Sequence, residues 1–154
     1  MKKFFAQLLY AILFLMIFIA DRITKFIVLS RNFYNHKVAR FLTFDIAYNR
    51  GISWGMFDSK SSFVFLMVSL LIVVMTIFLG IVAYFRFKEG HTIVGEVMAI
   101  AGSCSNITDR ILYGGVIDFI SLHYGKWFWP VFNVADLFIV MGIVLIFLNR
   151  VKND

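Results

Sequence analysis

Cysteine is nearly absent from this chain of 154 residues. Cys104 stands alone, which rules out an intramolecular disulfide and a cysteine-built metal set, and within an apolar stretch it reads as a small buried filler. His36, His91 and His123 are scattered, without the one-turn spacing of a zinc motif such as HExxH, so no metal or other cofactor is expected. Internal repeats and low-complexity tracts are lacking too. Charge is sparse at 16% of residues, and its surplus of +6 suits anionic lipid headgroups without calling for nucleic acid.

What fills the chain is apolar. Hydrophobic residues make up 61% and aromatics 18%, and the mean hydropathy is +0.86. That is far more than a soluble domain of this length needs, so the sequence predicts an integral membrane protein. Crossing the hydrocarbon core takes about 20 residues per helix. Four apolar stretches approach that length, at about 4–29, 63–85, 93–111 and 131–148, and predict an all-α single domain (1–154) of four transmembrane helices. The first follows Lys2 and Lys3 as a signal peptide would, yet it is too long, lacks a small-residue cleavage site and carries Asp21 and Lys25 one turn apart. It reads as a retained helix. The third is the least hydrophobic, holding Glu96, Ser103, Ser105, Asn106, Thr108 and Asp109.

Between the first two helices, over about 30–61, Leu42, Phe44, Ile46 and Tyr48 alternate with Thr43, Asp45, Ala47 and Asn49. Period two predicts a small β-strand region there. The segment 113–130, with Gly114, Gly115 and Gly125, reads as a hinged loop on the same side of the membrane. A raw Lys and Arg count would place these two excursions in the cytoplasm. The basic pairs Lys2/Lys3, Arg86/Lys88 and Arg150/Lys152 instead flank three helix ends, and the expected topology has both termini inside and the excursions extracytoplasmic.

Carboxylates at membrane depth are costly and usually functional. Asp118 lies in the loop before the last helix and Asp136 within it, six residues past Pro130 and therefore about 9 Å down a helix starting there. Asn133 shares a face with Asp136. On the third helix Gly102, Asn106, Asp109 and Arg110 stack on one face, glycine permitting close helix approach and the polar groups facing inward. Asp109 beside Arg110 predicts a structural ion pair, whereas Asp118, flanked by Val116, Ile117, Phe119 and Ile120, is expected to have a raised pKa. Such residues admit two rivals to an enzyme. One is a small proton-coupled transporter or channel subunit, against which the short length and lack of repeats argue; the other is a membrane scaffold, which leaves the convergence of polar groups unexplained.

Five ordered motifs carry a more specific likeness: Asp21-Arg22-Ile23-Thr24-Lys25; Asn49-Arg50-Gly51-Ile52-Ser53-Trp54-Gly55; Gly102 with Asn106-Ile107-Thr108-Asp109-Arg110; Val116-Ile117-Asp118-Phe119; and Phe132-Asn133-Val134-Ala135-Asp136. Together they resemble the lipoprotein signal peptidase (signal peptidase II) family. Ser105 departs from that family's usual glycine and Ser53 from its common alanine, both small replacements. The resemblance implies an aspartyl endopeptidase of the bacterial cytoplasmic membrane that cuts diacylglyceryl-modified prolipoproteins just before the lipidated cysteine. It also implies a catalytic dyad of Asp118 and Asp136, substrate-positioning roles for Asn49, Asn106, Arg110 and Asn133, and supporting roles for Asp21, Lys25, Gly51, Gly102 and Asp109. Prolipoproteins and membrane lipids are the implied partners, with a monomer as default.

Overall fold

A computed structural model describes residues 2–51 and 61–151. Four helices, α1 (Lys2–Ser30), α2 (Ser62–Lys88), α3 (Val94–Tyr113) and α4 (Val134–Val151), carry a sheet at one end of the bundle. Its strands β1 (His36–Ala39), β2 (Leu42–Asn49), β3 (Val116–Tyr124) and β4 (Trp127–Phe128) lie in the order β1-β2-β3-β4, all antiparallel. Among the described residues α1, α2 and α4 are long and apolar enough to cross a membrane. The second motif's Ile52, Ser53, Trp54 and Gly55 lie outside the described residues.

The helices sort by what they face. Phe26, Leu70, Phe78 and Phe147 on α1, α2 and α4 stand exposed, the outside-apolar arrangement that lipid demands. α3 is the hub: it packs against each of the other three helices, and Glu96, Ser105, Asn106, Asp109 and Arg110 are all buried on it. Its polarity is thus inward, which explains its low hydropathy. At the end remote from the sheet, Arg86 Nε meets Glu96 Oε1 at 2.7 Å and ties α2 to α3.

Contact between α3 and α4 depends on small residues, because lipid supplies no hydrophobic drive and packing must come from close approach. A Cβ on Gly102 would stand 2.5 Å from the Ala135 carbonyl oxygen, and one on Gly142 would meet the Gly95 carbonyl oxygen at 2.5 Å. These two close contacts, seven residues apart on each helix, fix the antiparallel register. α3 ends at Gly114, whose φ of +68° few other residues adopt.

Three expectations are corrected. The segment after α3 is not a loop: Val116–Tyr124 forms β3, so the sheet draws on both excursions rather than only on the chain between α1 and α2. The alternation along β2 changes phase, with Thr43 and Ile46 buried but Tyr48 exposed. The cause is a bulge: Phe44 pairs with Ile120 and Ala47 with Asp118, three steps against two, which reverses the faces beyond it. α4 starts at Val134, later than expected, because the Phe132 N–H donates to Ile120 O and the Phe132 carbonyl accepts from Phe119 N and Ile120 N. That backbone is held by β3 and is unavailable to a helix.

Candidate active site

Asp136 consequently lies in the first turn of α4 rather than about 9 Å along it. Asn133 is the residue before the helix, and the two cap each other: Asp136 N–H donates to Asn133 Oδ1 (2.9 Å) and Asn133 N–H donates to Asp136 Oδ2 (3.1 Å). This is a capping box with Asn and Asp in place of the commoner Ser or Thr and Glu. It leaves the Asn133 Nδ2 to reach Asp118 of β3. Asn106 of α3 then donates its Nδ2 to Asp136 Oδ1 at 2.8 Å.

Asp118 approaches from β3. Asn133 Nδ2 donates to its Oδ1 (2.6 Å) and Asn49 Nδ2, from the end of β2, to its Oδ2 (3.0 Å). Asn133 therefore bonds both aspartates. The β2 bulge sets Ala47 opposite Asp118, so that Asn49, two residues on, reaches its carboxylate. Only 2% exposed, Asp118 is pushed up to about 7, first by burial and next by the negative charge of Asp136; the Asn49 and Asn133 amides and the Lys25 charge pull the other way.

Both aspartates line a cavity of about 520 Å³ shared with Asn49, Asn106 and Arg110. The rest of its wall is largely apolar, including Ile72, Val116, Leu137, Ile139 and Val140. Arg110 donates to the carbonyl oxygens of Gly51 and of Arg50 (3.5 Å for the latter) and lies over the Phe65 ring with Arg50. Gly51 N–H in turn donates to Asn49 Oδ1 (2.9 Å), so Asn49 is fixed at both ends of its amide.

Asp109 does not pair with Arg110. The two leave α3 in different directions, Arg110 toward residues 50 and 51 and Asp109 toward α1, where Oδ1 accepts from Arg22 and Oδ2 meets Lys25 Nζ at 2.7 Å. Lys25 also meets Asp21 Oδ2 at 2.7 Å and donates to Asn106 Oδ1 at 2.9 Å. Asp21, Lys25 and Asp109 are at most 1% exposed, and this cluster balances Asp21 and Asp109 with Arg22 and Lys25, as burial of charge requires. Two of its oxygens hold backbone: Asp21 Oδ1 accepts from Ala135 N–H (2.9 Å) and Asp109 Oδ2 from Ile117 N–H (3.2 Å). Ser105 Oγ donates to Asp21 Oδ2 at 2.6 Å.

The fold thus brings Asp118, Asp136, Asn49, Asn106 and Arg110 to one cavity, buries Asn133 between the two aspartates, sets Asp21, Lys25 and Asp109 behind them, and keeps Gly51 on the Arg110 guanidinium and Gly102 at the α3–α4 contact. Arg22 and the hydroxyl of Ser105 were not singled out for these contacts by sequence. Nothing local signals a partner more than 80 residues away. The capping box, by contrast, is legible as Asn-x-x-Asp ahead of an apolar run.

A helical membrane protein with two hydrogen-bonded carboxylates facing a cleft under a small sheet is the class that fold and site define. Two solved structures, each of a bacterial membrane enzyme obtained in meso, share the fold at 25% identity. One superposes with TM-score 0.73 over 94% of this chain and 88% of its own, the other with 0.72 over 94% of each. Lipoprotein signal peptidase of Chlamydia pneumoniae is 35% identical, the alignment covering 94% of this chain and 89% of the relative. That of Thermodesulfovibrio yellowstonii is 36% identical over 89% and 90%. Residues 13–152 match the sequence model described as Signal peptidase (SPase) II, and the chain belongs to that family.

Proposed function

We propose that the protein is an aspartyl endopeptidase that removes the signal peptide from diacylglyceryl-modified prolipoproteins, cutting before the lipidated cysteine, with Asp118 and Asp136 as its catalytic pair. One observation carries the reading: a single residue, Asn133, hydrogen-bonds both carboxylates at the wall of one cavity, Asp118 through its side-chain amide and Asp136 through its backbone N–H. Two carboxyls sharing a site cannot both ionise cheaply and titrate as a pair. Burial and the charge of Asp136 push Asp118 up to about 7, and in this mechanism it carries the proton of the pair. Asp136 takes a proton from water as its oxygen attacks the scissile carbonyl, and Asp118 gives its own to the carbonyl oxygen. Collapse of the tetrahedral adduct breaks the C–N bond, and the amine of the cysteine leaves with a proton from the pair.

The apolar wall suits an acyl-bearing substrate entering sideways from lipid. Arg110 holds the chain after β2 at the cavity rim and keeps its positive charge beside the peptide, while Asn49, Asn106 and Asn133 hold the carboxylates and the bound backbone in line. α3 is the fourth membrane span; its 20 residues make about 30 Å, enough to cross when its polar groups face the bundle. We place the site on the extracytoplasmic side of the bacterial cytoplasmic membrane, both chain ends inside, in a protein that works as a monomer without a metal. Membership of a peptidase family leaves the transporter reading without support. The decisive experiment incubates purified protein in detergent with a diacylglyceryl prolipoprotein and with its unlipidated form. Shortening of the lipidated protein alone is expected, and an intact lipidated substrate would end the proposal.

A further inference from the structure

We propose, resting on the assignment of Asp118 and Asp136 as the reacting pair, that Asp21, Lys25 and Asp109 form a brace that fixes how far apart the two carboxylates stand, and that Ser105 is a positioning residue acting through it. The brace grips the backbone at two matched places. Asp21 accepts the N–H of Ala135, immediately before Asp136, and Asp109 accepts the N–H of Ile117, immediately before Asp118. Lys25 joins the two grips, 2.7 Å from an oxygen of each. Its third donor goes to Asn106 Oδ1, and Asn106 holds Asp136 directly. Each path from Lys25 therefore ends one residue, or one side chain, from a reacting carboxylate.

Ordinary helix glue would bind helix to helix. Here two of the bonds end on peptide N–H groups of β3 and of the first turn of α4, neither of which shares an element with the brace. Ser105 bears on the Asp21 grip alone: its hydroxyl holds Oδ2 at 2.6 Å, leaving Oδ1 aimed at Ala135, and it is wholly buried, so no water replaces the bond once removed. A misplacement of about 1 Å at a reacting group is enough for about 100-fold in rate.

The test measures cleavage of the diacylglyceryl prolipoprotein from pH 4 to 9 by wild type, Ser105→Ala, Asp109→Asn and, as reference, Asp118→Asn. The charged groups facing the pair are Lys25 and Asp21 from α1 and Asp109 and Arg110 from α3; none of these is altered in Ser105→Ala, so a shift in its profile reports geometry. Expected for Ser105→Ala is a kcat lower by about 5- to 20-fold, KM within about twofold, and a pH bell whose two limbs draw together, because carboxylates held less closely couple less. Asp109→Asn, which loosens the other grip, narrows the bell in the same way if it folds. A folded Ser105→Ala with unchanged kcat and bell width overturns the brace while Asp118→Asn remains dead. An active Asp118→Asn overturns the pair itself, and the brace with it.

Discussion

α2 and α3 lie side by side and obey opposite rules. α2 buries only Val68 and Ala83 among its described residues and shows apolar side chains to its surroundings along its whole length. α3 buries more than half of its residues, charged ones included. In lipid the outward face selects only for apolarity, whereas the inward face selects for specific hydrogen-bond partners. Substitution on α2 should therefore be nearly silent, and substitution on or against α3 should be felt in turnover, in folding or in both.

The largest effect expected is at the groups α3 helps to hold. Asp118→Asn and Asp136→Asn should each lower kcat by at least about a thousandfold, with membrane abundance and melting in detergent close to wild type; near-normal turnover in Asp118→Asn would reassign the pair to Asp109 and Asp136. Next comes Asp109→Asn, which leaves Lys25 and Arg22 with a neutral partner in a buried site. Breaking such a pair costs about 3–5 kcal/mol, so thermal unfolding in detergent should show a loss of stability at least as marked as the loss of turnover. Gly102→Ala drives a methyl into the Ala135 carbonyl oxygen and should cost about 1–3 kcal/mol by overpacking, read in the same melt.

A subtler change sharpens the contrast through pH. The Asn49 amide favours ionised Asp118, so Asn49→Ala lets that carboxyl rise above about 7 and keep its proton further into the alkaline range. The alkaline limb of the activity profile should move up by about half to one pH unit, the equivalent of a hydrogen bond worth about 1 kcal/mol. Smallest of all is Leu70→Ala on the exposed face of α2, expected within about 0.5 kcal/mol of wild type. A melt as damaged as that of Gly102→Ala would mean that α2 has a protein neighbour in the membrane.

The same division decides how much could be read in advance. Lipid-facing helices announce themselves by composition, and the three apolar spans are plain in the sequence to within a few residues of their ends. The ordered motifs also named the polar residues that meet at the cavity. What sequence order misassigned was partnership. Adjacency alone pairs Asp109 with Arg110, yet successive helical residues point about 100° apart, and the real partners come from α1. Likewise Asp118 read as loop because a strand buried on both faces, Val116 to Phe119, shows no alternation to detect.

The way α4 begins bears on membranes of different thickness. Its first turn is tied by Asn133 to itself, by Ala135 to α1 and by Phe132 to β3, so the helix cannot slide along its axis without undoing the site. At about 1.5 Å per residue its 18 residues make about 27 Å, slightly short of a hydrocarbon core of about 30 Å. α2, with 27 residues or about 40 Å and α3 as its main support, is overlong and loosely held. Thickening or thinning of the bilayer should therefore be taken up by the tilt of α2, leaving the cavity at Asp118 and Asp136 at a constant depth measured from the pinned end of α4.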